Sequence, residues 1–214
     1  MFPLARFARP RTLVPAVLVL ATLLSPVPAG SKVPDPRNSR VDPVLVGTTS
    51  GELVAGVGAT SAPGFDVDVR GVNNEPLRYE VVTLTLNSPR LAFLDAQNPG
   101  VGVECANRTI ALVTDLSGRV CFGPRICGFD NAPDAITVDA DGVWLRQVPA
   151  RSTDLWGMDG VTDINDMRVF RERFFSAAGP FPELDLNLDG RVDAADLQVI
   201  RDEYFRHAGA APCP

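Results

Sequence analysis

The sequence predicts a mostly β chain followed by a small all-α module. The β part is about eight short strands in a two-layer sandwich with Greek-key connections, and the module is two copies of one loop-and-helix unit. Three observations point there. Apolar and polar residues alternate through residues 44–148, the period of half-buried strands. Turn residues interrupt that alternation at short intervals, with no convincing helical period between them. After residue 149 the apolar spacing becomes i, i+3, i+7, and it does so twice.

The strands follow in chain order. Val44 and Val46 open the alternation. Phe65, Val67 and Val69 then alternate with Asp66, Asp68 and Arg70, and the turn from Gly71 to Pro76 ends that strand. Residues 79–86 continue with Val81, Val82, Leu84 and Leu86 among threonines, and residues 91–94 are short and apolar. Residues 109–113 and 119–122 flank Thr114, Asp115, Leu116, Ser117 and Gly118, which read as a hairpin turn. Residues 136–138 and 143–145 flank a second Asp-Gly turn at Asp141-Gly142.

Before the strands, Arg6, Arg9 and Arg11 precede an apolar run over residues 13–24, and Val27-Pro28-Ala29 offers small residues for cleavage. That is the pattern of a secretion signal, residues 1–29. The apolar run is shorter than the roughly 20 residues a bilayer span needs. Removing three arginines and no acid would take the net charge from −6 to −9. The chain is acidic without a basic patch, which argues against a nucleic-acid partner. Residues 30–42 hold Pro34 and Pro36 among polar residues and read as an extended linker. The expected division is then signal 1–29, linker 30–42, sandwich 43–148, repeat module 149–207 and tail 208–214. The expected location is secreted or at the cell surface, with no membrane span once the signal is cut.

The chemistry sits in residues 185–196. Asp185, Asn187, Asp189, Asp193 and Asp196 occupy positions 1, 3, 5, 9 and 12 of a twelve-residue loop, and Gly190 occupies position 6. Calcium takes about 6–8 oxygen ligands at roughly 2.3–2.6 Å, and alternating oxygen donors wrap a short loop around it. Gly190 permits the sharp turn, and the Arg191 carbonyl is the expected donor at position 7. Asp196 stands where EF-hand loops carry Glu. An acidic turn with an N-capping Asp explains Asp193 or Asp196 alone, but not the whole set.

The segment occurs once before, thirty residues earlier. Asp159, Gly160, Asp163 and Asp166 align with Asp189, Gly190, Asp193 and Asp196. The following apolar stripes also match, Met167/Phe170/Phe174 with Leu197/Ile200/Tyr204, and read as a small shared core. The beginning of the first loop departs from the pattern. Counting back from Asp166 places Leu155 and Gly157 at positions 1 and 3. Asp154 serves only if one residue is inserted between it and Asp159. One calcium ion is expected at the second loop, and a second at the first loop if Asp154, Asp159, Asp163 and Asp166 close on it.

On these residues the C-terminal segment resembles the dockerin modules of exported bacterial proteins, which are paired calcium loop–F-helix repeats. The resemblance covers residues 154–207 and implies calcium and a cohesin-like or other cell-surface protein partner. In that family loop positions 10 and 11 largely set the partner. Here they are Ile164-Asn165 and Ala194-Ala195, which differ from each other and from the hydroxyl pairs common in the family. The turn at Asn73-Asn74-Glu75-Pro76 and the run from Thr114 to Phe122 make residues 42–148 resemble immunoglobulin-like domains of the invasin type. That resemblance implies a spacer or adhesive sandwich.

Four cysteines suit an oxidising compartment, and four allow three pairings. A hairpin centred near Leu116 would bring Cys105 to Cys127. Cys121–Cys127 is the alternative, and Cys213 pairs with a remaining cysteine or stays reduced. The only histidine is His207, and no nucleophile motif accompanies it, so no catalysis is expected. Trp144 reads as packing or edge cover, and Trp156 as a seal between the two parts. Three roles fit: an exported calcium-dependent docking or anchoring protein, a carbohydrate-active or carbohydrate-binding protein with a dockerin, or a purely structural calcium-stapled surface domain.

Overall fold

Period-two alternation commits a segment to a pleated, half-buried strand, but it does not choose the neighbouring strand. In the computed structural model, residues 32–48, 50, 64–98, 100–130, 132–176, 181–206 and 211–213 are described. The proposed signal stretch, 1–29, and His207 lie outside them. Residues Lys32–Pro214 form one compact unit, to which all the elements below belong.

There are twelve strands among the described residues: β1 (Arg40–Val41), β2 (Leu45–Gly47), β3 (Phe65–Asp68), β4 (Val81–Leu86), β5 (Leu91–Phe93), β6 (Gly102–Glu104), β7 (Thr109–Val113), β8 (Arg119–Phe122), β9 (Ile126–Gly128), β10 (Ile136–Ala140), β11 (Val143–Val148) and β12 (Ala150–Ser152). Two helices follow, α1 (Ile164–Phe174) and α2 (Ala194–Arg206). The largest sheet has the order β11-β10-β4-β7-β6; a second is β1-β3-β8; β12-β2 and β5-β9 are separate pairs. Only β12-β2 is parallel. The β1 strand arises within the stretch read as linker, where Val41 opposes Val67.

The structure corrects the expected fold. An immunoglobulin-like sandwich followed by an all-α module is not what forms. The strands are divided among four small sheets, and the only helices longer than one turn among the described residues have 11 and 13 residues. Neither stands in a module of its own. The physical reason lies in their apolar stripes. On α1 the buried side chains are Asp166, Val169 and Phe170, and on α2 they are Asp196, Ile200 and Glu203. Two buried acids on a 13-residue helix leave too little apolar surface for two helices to bury each other alone. Their small core therefore recruits Leu155, Leu184 and Leu186 from the loops and Phe129 from the end of β9. Leu197, expected in that core, is exposed.

The turn over Thr114–Gly118 is also corrected. It closes no hairpin: β7 pairs with β4 and β6, while β8 pairs with β3. The turn hands the chain from one sheet to another. Asp115 Oδ1 accepts from the backbone N–H of Ser117 and Arg119 at 2.7 and 3.0 Å. Gly118 has φ +78, and a Cβ there would lie 2.7 Å from the Val69 carbonyl oxygen. Thr114 anchors the turn from beneath. Its buried hydroxyl donates to the Leu77 carbonyl at 2.8 Å and accepts from the Glu80 N–H at 3.0 Å. Thr114→Val leaves both groups unpartnered and is expected to cost about 1–3 kcal/mol. An unchanged urea midpoint would contradict that.

The second Asp-Gly turn does join a hairpin. β10 and β11 pair antiparallel, with Asp141 at φ +47 and Gly142 at φ +77, the two left-handed residues a tight hairpin of this hand requires. The inward side chains of both larger sheets, with those of β2, β5 and β9, share one core around Phe65, Phe93, Phe122 and Leu84. Trp144, on edge strand β11, is 54% exposed rather than packed.

The disulfide joins Cys105 to Cys213, and Cys121 and Cys127 carry none. The Cys105–Cys127 bridge expected from the hairpin and its rival Cys121–Cys127 are both corrected, and Cys213 pairs with Cys105. Without that hairpin, nothing places Cys105 opposite Cys127. The tail instead returns to the strand body, where Cys213 N–H donates to the Phe93 carbonyl at 2.8 Å. No helix among the described residues is long and apolar enough to cross a membrane.

Candidate metal centre

Each acidic loop ends in the first turn of a helix, and its short polar side chains turn back onto backbone N–H groups. In the second loop, Asp185 accepts from the N–H of Asp189 through Oδ1 and of Gly190 through Oδ2, both at 3.1 Å. Asn187 Oδ1 accepts from Asp189 N–H at 3.0 Å, and Asp189 Oδ1 accepts from Arg191 N–H at 2.8 Å. Asp193 Oδ1 accepts from Ala195 N–H at 2.7 Å. Asp196 closes the loop. Its Oδ1 accepts from Leu186 and Asn187 at 2.7 and 3.1 Å, and its Oδ2 accepts from Asp193 at 2.8 Å. Gly190 has φ +83, as the turn requires.

The first loop repeats this pattern. Asp166 Oδ1 accepts from Leu155 and Trp156 at 2.6 and 2.7 Å, and Oδ2 accepts from Asp163 at 2.6 Å. Asp163 caps α1, accepting from Asn165 N–H at 2.7 Å. Asp159 Oδ1 accepts from Val161 N–H at 3.0 Å. The decisive bond is Gly160 N–H to Asp154 Oδ2 at 2.9 Å, the counterpart of Gly190 to Asp185. Asp154 thus takes the place of Asp185, although four residues separate it from Asp159 and three separate Asp185 from Asp189. The extra residue is Gly157 (φ +85), while Met158 (φ +51) keeps the left-handed place that Leu188 (φ +58) holds in the second loop. Trp156 stands where Asn187 stands, contributes only its N–H, and holds its ring 52% exposed beneath Arg168 at 5.5 Å. It seals nothing.

Electrostatics separate the loops. Asp154 and Asp166 are fully buried. Burial pushes the Asp154 carboxyl up to about 7, reinforced by the Asp166 and Asp159 charges. Burial also pushes Asp166 up to about 6, against the backbone N–H groups that favour its charged form. Asp196 is likewise raised by burial, with Asp185 adding repulsion. In the second loop Arg151 supplies a cation, 3.5 Å from Asp185 Oδ2, and also donates to the Asp185 carbonyl. In the first loop Asp154 Oδ1 is buried without any hydrogen-bond partner. A buried carboxylate oxygen without a donor is costly unless a positive group reaches it.

Among the described residues, no three His, Cys, Asp or Glu side chains are gathered as a ready coordination cluster. The loop oxygens face backbone N–H groups instead. A carboxylate has about four lone-pair sites, so an oxygen that accepts one N–H keeps capacity for a cation. The donor set is entirely oxygen, from Asp154, Asp159, Asp163 and Asp166 in one loop, and from Asp185, Asn187, Asp189, Asp193, Asp196 and the Arg191 carbonyl in the other. That set suits a hard divalent ion.

Several residues that hold the loops in place were not singled out from sequence. Ser152, at the end of β12, donates to the Ile126 carbonyl at 3.0 Å and accepts from Asp154 N–H at 3.1 Å, which ties the first loop to β9. Thr162 donates to Thr153 across that loop at 3.0 Å. Glu203, buried on α2, accepts from the N–H and hydroxyl of Ser50 at 3.0 and 2.6 Å and from Arg206 at 2.7 Å. The Ser-Thr-Asp run directly after an alternating strand was the available signal for Ser152. Nothing in the sequence announces Glu203, which looks like any exposed helix acid.

Comparison with protein-family models, with curated proteins and with solved structures finds no match to this chain.

Proposed function

We propose that both loops bind calcium and that the ions fasten the helix pair to the strand body of an exported, non-catalytic protein. One observation carries this reading: the same acid-to-backbone pattern occurs twice, and a one-residue insertion is absorbed so that Asp154 keeps its place. The unpartnered Asp154 Oδ1 supports it. When bound, calcium would offset the repulsion among the buried carboxylates of each loop. Asp154, Asp159, Asp163 and Asp166 would hold one ion. Asp185, Asn187, Asp189, Asp193, Asp196 and the Arg191 carbonyl would hold the other.

A ligand that binds only the folded state stabilises it by about 2.7 kcal/mol at a hundred times its dissociation constant. In a chain of this size that is a rise in melting temperature of roughly 5–10 °C. Thermal unfolding in millimolar calcium against excess chelator is the test. Superimposable melts would overturn the reading.

A docking role has one observation in its favour. A groove of about 650 Å³ runs between α1 and α2, lined by Ile164, Met167, Phe174 and Leu197 with Arg168 and Arg171. Ile164 is 62% exposed beside the capping Asp163. A cohesin-like or other cell-surface protein with an apolar ridge flanked by carboxylates would complement it. Loops that hold the helices would also hold this groove, so such binding would require calcium.

A further inference from the structure

Three attachments hold α2 and the second loop to the strand body. Glu203 grips Ser50, Arg151 grips Asp185, and the tail beyond α2 returns to the strands. The first two are polar contacts. The third is covalent. Leu94 bridges to Pro212, Asp95 N–H donates to the Ala211 carbonyl at 2.8 Å, and Cys213, seven residues after the end of α2, is bonded to Cys105. Cys105 sits in the single helical turn between β6 and β7, against the five-stranded sheet. At its other end the loop–helix segment leaves β12, which is hydrogen-bonded to β2. The segment is thus clamped at both ends, and only the C-terminal clamp contains a bond that chemistry can open. Both of its cysteines are half-buried, and Cys213 packs against the main core.

We propose that the Cys105–Cys213 disulfide is a redox-set latch on α2 and the second loop. A dithiol reductant opens it by exchange. The S–S bond breaks, each cysteine sulfur leaves as a thiol with one electron and one proton gained, and the dithiol closes to its own disulfide. With the latch open, α2 keeps its two polar grips and its packing on α1 but loses the covalent anchor. The loop that Asp196 closes then opens more often. The metal half of the proposal rests on the calcium reading above: a loop that opens more often binds its ion more weakly. Linkage is reciprocal, so calcium in the second loop protects the disulfide from reduction by the same factor.

Amide hydrogen exchange and calcium titration of the whole chain test it, comparing oxidised protein, protein reduced with a phosphine, and Cys213→Ser. Exchange in residues 185–206 is expected to rise about tenfold or more on opening, while β4 and β10 keep their protection. Calcium affinity at the second loop is expected to fall roughly tenfold, with the first loop unaffected. Unchanged exchange in α2, or a uniform rise across all strands, would overturn the latch. Equal calcium affinity in oxidised and opened protein would overturn the coupling. If neither form binds calcium, the metal reading falls and the exchange of α2 alone decides the latch.

Discussion

Asp196→Ala is expected to abolish calcium binding at the second loop and to cost the fold roughly 3 kcal/mol or more. Asp196 does two things at once. Its carboxylate accepts from Leu186, Asn187 and Asp193, so truncation strands three backbone donors around a fully buried side chain. Each buried donor left unpaired costs about 1–3 kcal/mol, less where water can enter. On the proposed reading the same side chain would supply the position 12 ligand. Asp196→Asn separates the two roles. The amide keeps the size and one acceptor oxygen, but turns an NH₂ group toward a donor and removes the charge. Urea unfolding should place Asn between wild type and Ala, while calorimetry should show neither variant binding at the second loop. Wild-type calcium affinity in both would sink the assignment of Asp196.

Gly128→Ala should act on the first loop without touching any of its carboxylates. Gly128 ends β9 at φ +93, where an L side chain is strained by roughly 1–2 kcal/mol. A Cβ there would lie 2.1 Å from the Arg90 carbonyl oxygen and 2.9 Å from Met158 Cγ. The methionine can swing away; the carbonyl belongs to the approach to β5 and cannot move without parting the β5-β9 pair. The expected loss is about 2–4 kcal/mol. Met158 directly precedes Asp159 in the first loop and holds a left-handed turn there. Displacing it should lower calcium affinity there and leave the second loop as it was. Equal losses at the two loops would mean that β9 does not position the first one.

What could be read from the sequence followed from how local each property is. The backbone-bonded turn of the second loop was legible because Asp185, Asn187, Asp189, Asp193 and Asp196 set short acceptors at alternating steps around Gly190 in one contiguous stretch. The first loop was half legible. Its register from Asp159 onward follows the repeat, but how Gly157 takes up an extra residue depends on backbone angles that no alignment offset contains. Most strands were legible by alternation, and 109–113 and 119–122 match β7 and β8 residue for residue. Their partners were not, because period two says which face is buried and nothing of which strand lies alongside. Reading Thr114–Gly118 as a hairpin produced the wrong Cys105–Cys127 pairing, and counting alternating strands without their partners produced the wrong sandwich. The short strands β6, β9 and β12 have three residues each, too few to show any period. On α2 the stripe failed because Glu203, a charge, took a buried place where Tyr204 was expected, held there by Ser50, 153 residues away, and by Arg206.

The most direct measurement is calorimetric calcium titration of the whole oxidised chain, repeated with Asp154→Asn and Asp185→Asn. Two binding events are expected in the wild type, with each variant losing one of them. No binding at all, or a single event that survives Asp154→Asn unchanged, would contradict two equivalent loops, and the Asp154 oxygen would have to be explained by some other partner.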